Sequence, residues 1–221
     1  MQNVTFRPFT KSDRKEYLDL LGSIWHYTSY SDDAKVREML VKLDGFAALH
    51  ASAYQEVAVY DGRLAGVLFA APKGKFRRLH FVKYTLKLMW LFMRLLVHSK
   101  DSRRSLLNLK RILRAYESLT KKSRHPHRNE VTLFMVDSDF RGKHIGITLL
   151  ERYETFLKKK GQTHYYLFTD EKCSYTFYDH HGFTLDGQQT VQEKLKDGPS
   201  KMRVMLYAKR MDAKPPKNEE A

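Results

Sequence analysis

Arg141-Gly142-Lys143-His144-Ile145-Gly146 is the stretch whose reading decides the fold. Val131-Thr132-Leu133-Phe134-Met135-Val136 comes just before it and reads as a strand. Just after it, Ile145, Leu149, Tyr153, Phe156 and Leu157 recur at helical spacing, until Gly161 ends the pattern. A strand, a short basic glycine-containing turn and a helix N-terminus together make an anion site. Backbone N–H groups point outward there and the helix dipole adds positive potential. Arg141 and Lys143 add full charges, so the ligand this stretch calls for carries phosphate. The chain lacks the G-x-x-x-x-G-K-S/T pattern of a nucleotide P-loop and the G-x-G-x-x-G pattern of a dinucleotide fold.

The same six residues resemble the R-x-x-G-x-G/A signature of the GNAT superfamily of N-acetyltransferases. Downstream, Phe177-Tyr178-Asp179-His180-His181-Gly182-Phe183 is similar to that family's F-Y-x-x-x-G-F element. The two elements stand in the family's order, with a Lys-rich helix end and a strand over 164–169 between them. The resemblance covers residues 130–185 well and the first 75 only in outline. It implies an α/β GNAT fold: a central mixed, twisted sheet of six to seven strands flanked by helices, with the fourth and fifth strands parallel and splayed. It also implies acetyl-CoA as cosubstrate, with Arg141, Gly142, Lys143, His144, Ile145 and Gly146 holding the diphosphate. Phe134, Met135 and Val136 would offer backbone partners to the pantetheine arm, and Ser174 a hydrogen bond. His144 departs from the pattern, standing where the family most often has glycine.

Composition sets the frame. The chain has 221 residues, 42% hydrophobic, enough for a single domain over 1–211. One cysteine, Cys173, makes neither a disulfide framework nor a cysteine metal site. The first residues show no signal-peptide hydrophobic region, which points to a cytoplasmic protein. The net charge of +15 asks for an anionic partner, and CoA is itself anionic.

Along the chain, 4–9 alternates like a first strand. Thr10 or Ser12 caps a helix reaching about Trp25, and Ser31-Asp32-Asp33 opens another with Val36, Met39, Leu40 and Leu43 on one face. Asp61-Gly62 between apolar runs predicts a β-hairpin. Residues 73–127 predict a helical insertion between the third and fourth strands, with helices from Phe76 to His98 and from Arg103 to Lys121, broken by His125-Pro126-His127-Arg128. In the first, Lys83, Lys87 and Arg94 fall close to one face. In the second, Leu106, Leu109, Leu113 and Tyr116 share a side. Three roles fit this insertion: a packed element with a solvated basic face, a wall of the acceptor site, or a membrane-surface helix. Strands follow at 164–169, from Phe183 and over 202–208, with a short helix near 172–180 and a flexible tail over 212–221.

Acetyl transfer to an amine needs a neutral amine, a polarised thioester and a proton for the leaving thiolate. The resemblance puts Tyr178 where the family has its general acid. Glu130, at the start of the central strand, matches the base carboxylate of some members. Asp170, at the end of the next strand, is the other candidate base, and no base at all is a third answer. No metal is expected: His180 and His181 are adjacent, with no third ligand evident. Cys173 reads as a packing residue. Trp25, His26, Tyr27 and Tyr30 form either an acceptor pocket or the seam between the first two helices. The expected function is an acetyl-CoA-dependent N-acetyltransferase acting by direct transfer on the primary amine of a small molecule or an amino terminus, with a homodimer as one assembly open to it. The alternatives are a basic nucleic-acid-binding module and a CoA-binding sensor without catalysis.

Overall fold

The computed structural model describes residues 4–25, 27–73, 78–123 and 128–211. His26, Phe76, the 125–127 segment and the 212–221 tail lie outside them. In chain order the elements are β1 (Val4–Pro8), α1 (Arg14–Ile24), α2 (Ala34–Ala51), β2 (Tyr54–Tyr60), β3 (Arg63–Ala71), α3 (Arg78–His98), α4 (Lys100–Lys122), β4 (Glu130–Val136), α5 (Ile145–Lys158), β5 (His164–Asp170), α6 (Thr176–His180), β6 (Thr184–Leu195) and β7 (Gly198–Arg210).

The seven strands form one mixed sheet in the order β1-β2-β3-β4-β5-β7-β6. Only β4 and β5 run parallel. Among the described residues they pair at just two positions, Glu130 with Tyr166 and Val131 with Leu167. Beyond these they diverge, which opens a notch in the middle of the sheet. A break in the β3–β4 register opposite Phe69/Ala70 leaves Thr132 as an extra residue. Such a bulge bends its strand and increases the local twist, and it falls where the pairing with β5 stops.

The local chemistry explains most boundaries. Asp61 (φ 46°) and Gly62 (φ 83°) are both left-handed, the two-residue turn that matches strand twist. In α5, Ile145, Leu149, Tyr153 and Leu157 are fully buried under the sheet, and Gly161 (φ 66°) ends the helical run. Helix α1 starts differently from expectation. Neither Thr10 nor Ser12 caps it; Asp13 stands at the cap with its carboxylate turned back. It accepts hydrogen bonds from the Thr10 backbone N–H (2.7 Å) and from Arg7 (2.7 Å to each oxygen). The Arg7 guanidinium holds the Asp13 carboxyl below its usual pKa and ties β1 to α1.

The insertion is a helical hairpin, α3 and α4, as its amphipathic pattern predicts. Helix α4 begins at Lys100 rather than Arg103, because Ser99 and Ser102 form a reciprocal capping box. Its buried side is centred on Ser105, Asn108, Ala115 and Leu119, packed over β6 and β7, while Leu113 is exposed. Strands β6 and β7 are longer than expected and form a hairpin, since the polar run from Gln188 to Lys194 gives little apolar signal.

Candidate active site

The turn between β4 and α5 is built from backbone. Asp137 caps a single 3-10 turn over Ser138–Phe140, and the chain then runs exposed through Arg141–His144. Gly142 (φ 74°) and His144 (φ 59°) are left-handed. His144 thus occupies the conformation that favours glycine, at a cost of about 1 kcal/mol. It sits at the N-cap without a side-chain cap bond, so the first N–H groups of α5 are left open to a ligand. At Gly146 the helix presses on the sheet: a Cβ there would lie 3.2 Å from Phe134 Cζ and 3.4 Å from Val136 Cγ2. Lys143 folds onto Tyr60, its Nζ 3.3 Å from the hydroxyl and 4.8 Å from the ring centroid. Arg141 is exposed and has no side-chain partner among the described residues.

The notch begins beside this turn. Phe134, Met135 and Val136 pair with Leu68, Val67 and Gly66 on one edge, while the other edge faces the gap to β5. Met135 is buried in the core under α1 and α2, and Phe134 and Val136 pack toward α5 and α6. Ser174 is exposed in the turn before α6.

Tyr178, on α6, is 8% exposed and ringed by Phe177, Phe183 and Tyr207 at 5.3–5.6 Å between centroids, with Phe134 at 6.5 Å. Its hydroxyl makes no hydrogen bond among the described residues. Burial first, then the charges of Cys173 and Asp170, raise its pKa far above the ordinary phenol value. The phenol is therefore protonated at neutral pH and free to donate. Cys173 is pushed up to about 11, mainly by burial, so it remains a thiol.

The carboxylates differ in position. Glu130, half-buried where β4 and β5 still pair, accepts a hydrogen bond from the Tyr166 hydroxyl (3.2 Å), and burial raises its pKa. Asp170 ends β5 and is among the charges acting on Tyr178, Tyr116 and Tyr30, whereas Glu130 acts on Tyr116, Tyr153 and Tyr166. The Asp170 carboxylate accepts from the Lys172 N–H (2.8 Å) just before α6, and Glu130 sits at the closed end of the notch, where β4 and β5 still pair. His181 stacks on Phe177 (4.0 Å), and no group of three metal-binding side chains occurs among the described residues.

Two further acids were not singled out in the sequence. The Tyr27 hydroxyl donates to Asp44 (2.7 Å), whose carboxyl is raised to about 6 by burial, against the opposing effect of that hydrogen bond. The Tyr30 hydroxyl donates to Glu193 (2.7 Å), which also receives Lys172 Nζ (3.1 Å) and is 1% exposed. Strand alternation already put Glu193 on the inward face with Val191, and Asp44 follows Leu40 and Leu43 on the buried side of α2. Trp25, Tyr27 and Tyr30 pack into the core around α1 and α2, and the hydroxyls of Tyr27 and Tyr30 meet carboxylates. Tyr116 reaches the same region from the insertion, stacked on Phe168 at 4.0 Å. By contrast, Trp90 and Phe92 are exposed on the outside of α3.

Residues 118–204 match the family model for the acetyltransferase (GNAT) domain. A search of curated proteins finds no match. Among solved structures the chain is similar to an N-acetyltransferase from Staphylococcus aureus Mu50 (16% identity, 95% of this chain and 99% of that one, TM-score 0.52). It is also similar to the ribosomal-protein-S18-alanine N-acetyltransferase from Escherichia coli (12%, 99% and 100%, 0.54) and to an agmatine N-acetyltransferase (14%, 92% and 98%, 0.53). At these identities the likeness is one of fold. The splayed parallel pair and the helix between its strands, which has no side-chain cap, both fall inside the matched segment. The chain is thus similar in fold to GNAT N-acetyltransferases over nearly its whole length, and its 118–204 segment matches the GNAT acetyltransferase domain model.

Proposed function

We propose that this protein transfers an acetyl group from acetyl-CoA directly to a primary amine, and that it does so in the cytoplasm. The observation that carries this reading is the meeting of three features at one notch. They are the open N-terminus of α5, the edge of β4 left unpaired beyond Val131, and Tyr178, a buried ring whose hydroxyl makes no hydrogen bond among the described residues. The residues fit the cosubstrate. Gly142 has no atom within 4 Å of a Cβ position, and the 141–144 turn is exposed, so a diphosphate can approach the backbone. Arg141 would add charge, and Phe134 to Val136 would receive the pantetheine amides. Bound there, the thioester supplies an activated acetyl group.

The chain's own groups then account for the protons. The amine must lose one as it forms the bond to the acetyl carbon, and Asp170 or Glu130, through water, is positioned to take it. The departing sulfur must gain one, and Tyr178 holds a proton it does not share with any neighbour. The acidic and aromatic lining formed by Asp44, Glu193, Tyr30 and Tyr116 supports an acceptor that arrives as a cation. The agmatine N-acetyltransferase and the ribosomal-protein-S18-alanine N-acetyltransferase that share this fold support an amine acceptor.

The test is a thiol-release assay with acetyl-CoA against a panel of amines and peptide amino termini, preceded by calorimetry with CoA. CoA binding with turnover on at least one amine is expected. Absence of CoA binding overturns the proposal. Binding without turnover across the panel favours a CoA-binding sensor.

A further inference from the structure

We propose that helix α3 is a docking surface for an anionic lipid membrane, lying flat in the interface. The argument starts from charge. Residues 73–127 contain 16 Lys and Arg and only two acids, Asp101 and Glu117. This quarter of the chain therefore holds 14 of the net +15 charges, and the remainder is close to neutral. Nothing in the cosubstrate site requires that concentration, because the diphosphate turn lies after β4, outside the insertion.

Helix α3 adds a second, independent feature. It has no Asp or Glu along its 21 residues. Tyr84, Leu91 and Leu95 are buried, with Leu88 packed beside them against the α1–α2 core. At 100° per residue, the opposite side of the helix carries Leu86, Met89, Trp90, Met93 and Val97 within an arc of roughly 100°. Those five are 59%, 58%, 58%, 55% and 74% exposed. An ordinary surface helix turns polar residues outward. This one turns out an unbroken apolar stripe about three turns long. Lys87 and Arg94 run along one flank of it, with Arg94 lying over the Trp90 ring at 4.7 Å.

Charge complementarity selects the occupant. A second copy of the chain would bring two strongly cationic hairpins together, which opposes pairing. Nucleic acid would use the cations but gains little from Leu, Met and Val side chains, since bases stack on aromatic faces. An anionic bilayer surface uses both: acyl chains accept the stripe and headgroups accept the flanking cations. Trp and cationic side chains at the edge of an apolar face suit the headgroup level. No described helix is long and apolar enough to cross a membrane, which fits a helix lying in the surface plane.

The experiment is vesicle flotation of the full chain with phosphatidylcholine alone and with phosphatidylcholine containing phosphatidylserine. Binding to the mixed vesicles and little to the neutral ones is expected, with a blue shift of tryptophan emission. The triple variant Met89→Ser, Trp90→Ser, Met93→Ser changes only exposed positions and is expected to bind at least about 100-fold more weakly. Arg94→Glu is expected to weaken binding about tenfold. Thermal unfolding and CoA affinity, measured in parallel, are expected to stay at the wild-type values. Three results overturn the proposal. One is failure of the unmodified chain to float with the mixed vesicles. Another is equal flotation of the folded triple variant. The third is a stable dimer, seen by ultracentrifugation, that the triple variant abolishes.

Discussion

Tyr178 concentrates the chemistry at the scale of one residue. Its ring is buried and its hydroxyl makes no hydrogen bond among the described residues, so the phenol proton is available to a ligand. Tyr178→Phe is expected to leave CoA affinity within a few-fold and to lower kcat by roughly 10²–10⁴. Calorimetry and thiol-release kinetics together check this; an equal loss in both would make the ring a packing element. His144 offers the reverse case. A residue with a Cβ held at φ 59° is strained, so His144→Gly is expected to stabilise the fold by about 1 kcal/mol in urea unfolding. Asp44 gives a pH signature. Its folded pKa of about 6 lies above the ordinary aspartate value of 3.8, so the folded state binds the proton more tightly. The contribution is fully present below about 4 and is lost as pH rises through 6, amounting to at most about 3 kcal/mol. Relative to Asp44→Asn, the wild-type chain is therefore expected to lose stability between pH 4 and 6, as measured by denaturant titration at each pH.

At the scale of elements, the insertion is fastened by a few polar contacts. Asn108, fully buried on α4, donates to the Lys194 carbonyl (2.9 Å) and accepts from the Lys194 N–H (3.0 Å), completing the free edge of β6 as a strand would. Asn108→Ala leaves both backbone groups unpaired and is expected to cost about 2–3 kcal/mol, read from denaturant midpoints. The same loss undocks Tyr116 from the acceptor side, so a rise in acceptor KM with unchanged CoA affinity is expected alongside it. Helix α5 and β4 show a different dependence. Their closeness rests on Gly146, and a valine there meets Phe134 at 3.2 Å. The first turn of α5 would shift away from the strand, and the proposed diphosphate site with it.

At the scale of the whole molecule, the notched sheet carries cores on both faces: one under α1–α3, one under α4, and one under α5 that runs across the notch from β2–β4 to β5 and β7. Parallel pairing at only two positions does little to hold β4 against β5, and a ligand seated in the gap would bridge them. CoA at 100 times its dissociation constant is expected to stabilise the chain by about 2.7 kcal/mol, with a melting temperature that climbs further with concentration. A melting temperature indifferent to CoA would contradict the site.

What the sequence by itself determined is whatever depends on near neighbours. The hairpin at Asp61-Gly62, the apolar stripe of α5, the strand–turn–helix around Arg141 to Gly146 and the two insertion helices all follow from spacing and local backbone preference. The cap at Ser99 and the full length of β6 escaped, because one rests on a serine pair and the other on polar residues paired to a distant strand. Only the tertiary structure decided which side chains meet. Asp44 and Glu193 come from a helix and a strand far apart in the chain, and packing alone brings them to the hydroxyls of Tyr27 and Tyr30, as it brings Tyr116 of the insertion onto Phe168. Packing also left the outer face of α3 uncovered. The sequence shows that helix as apolar on two sides, but burial of one side and exposure of the other is settled by the single face that α2 can cover.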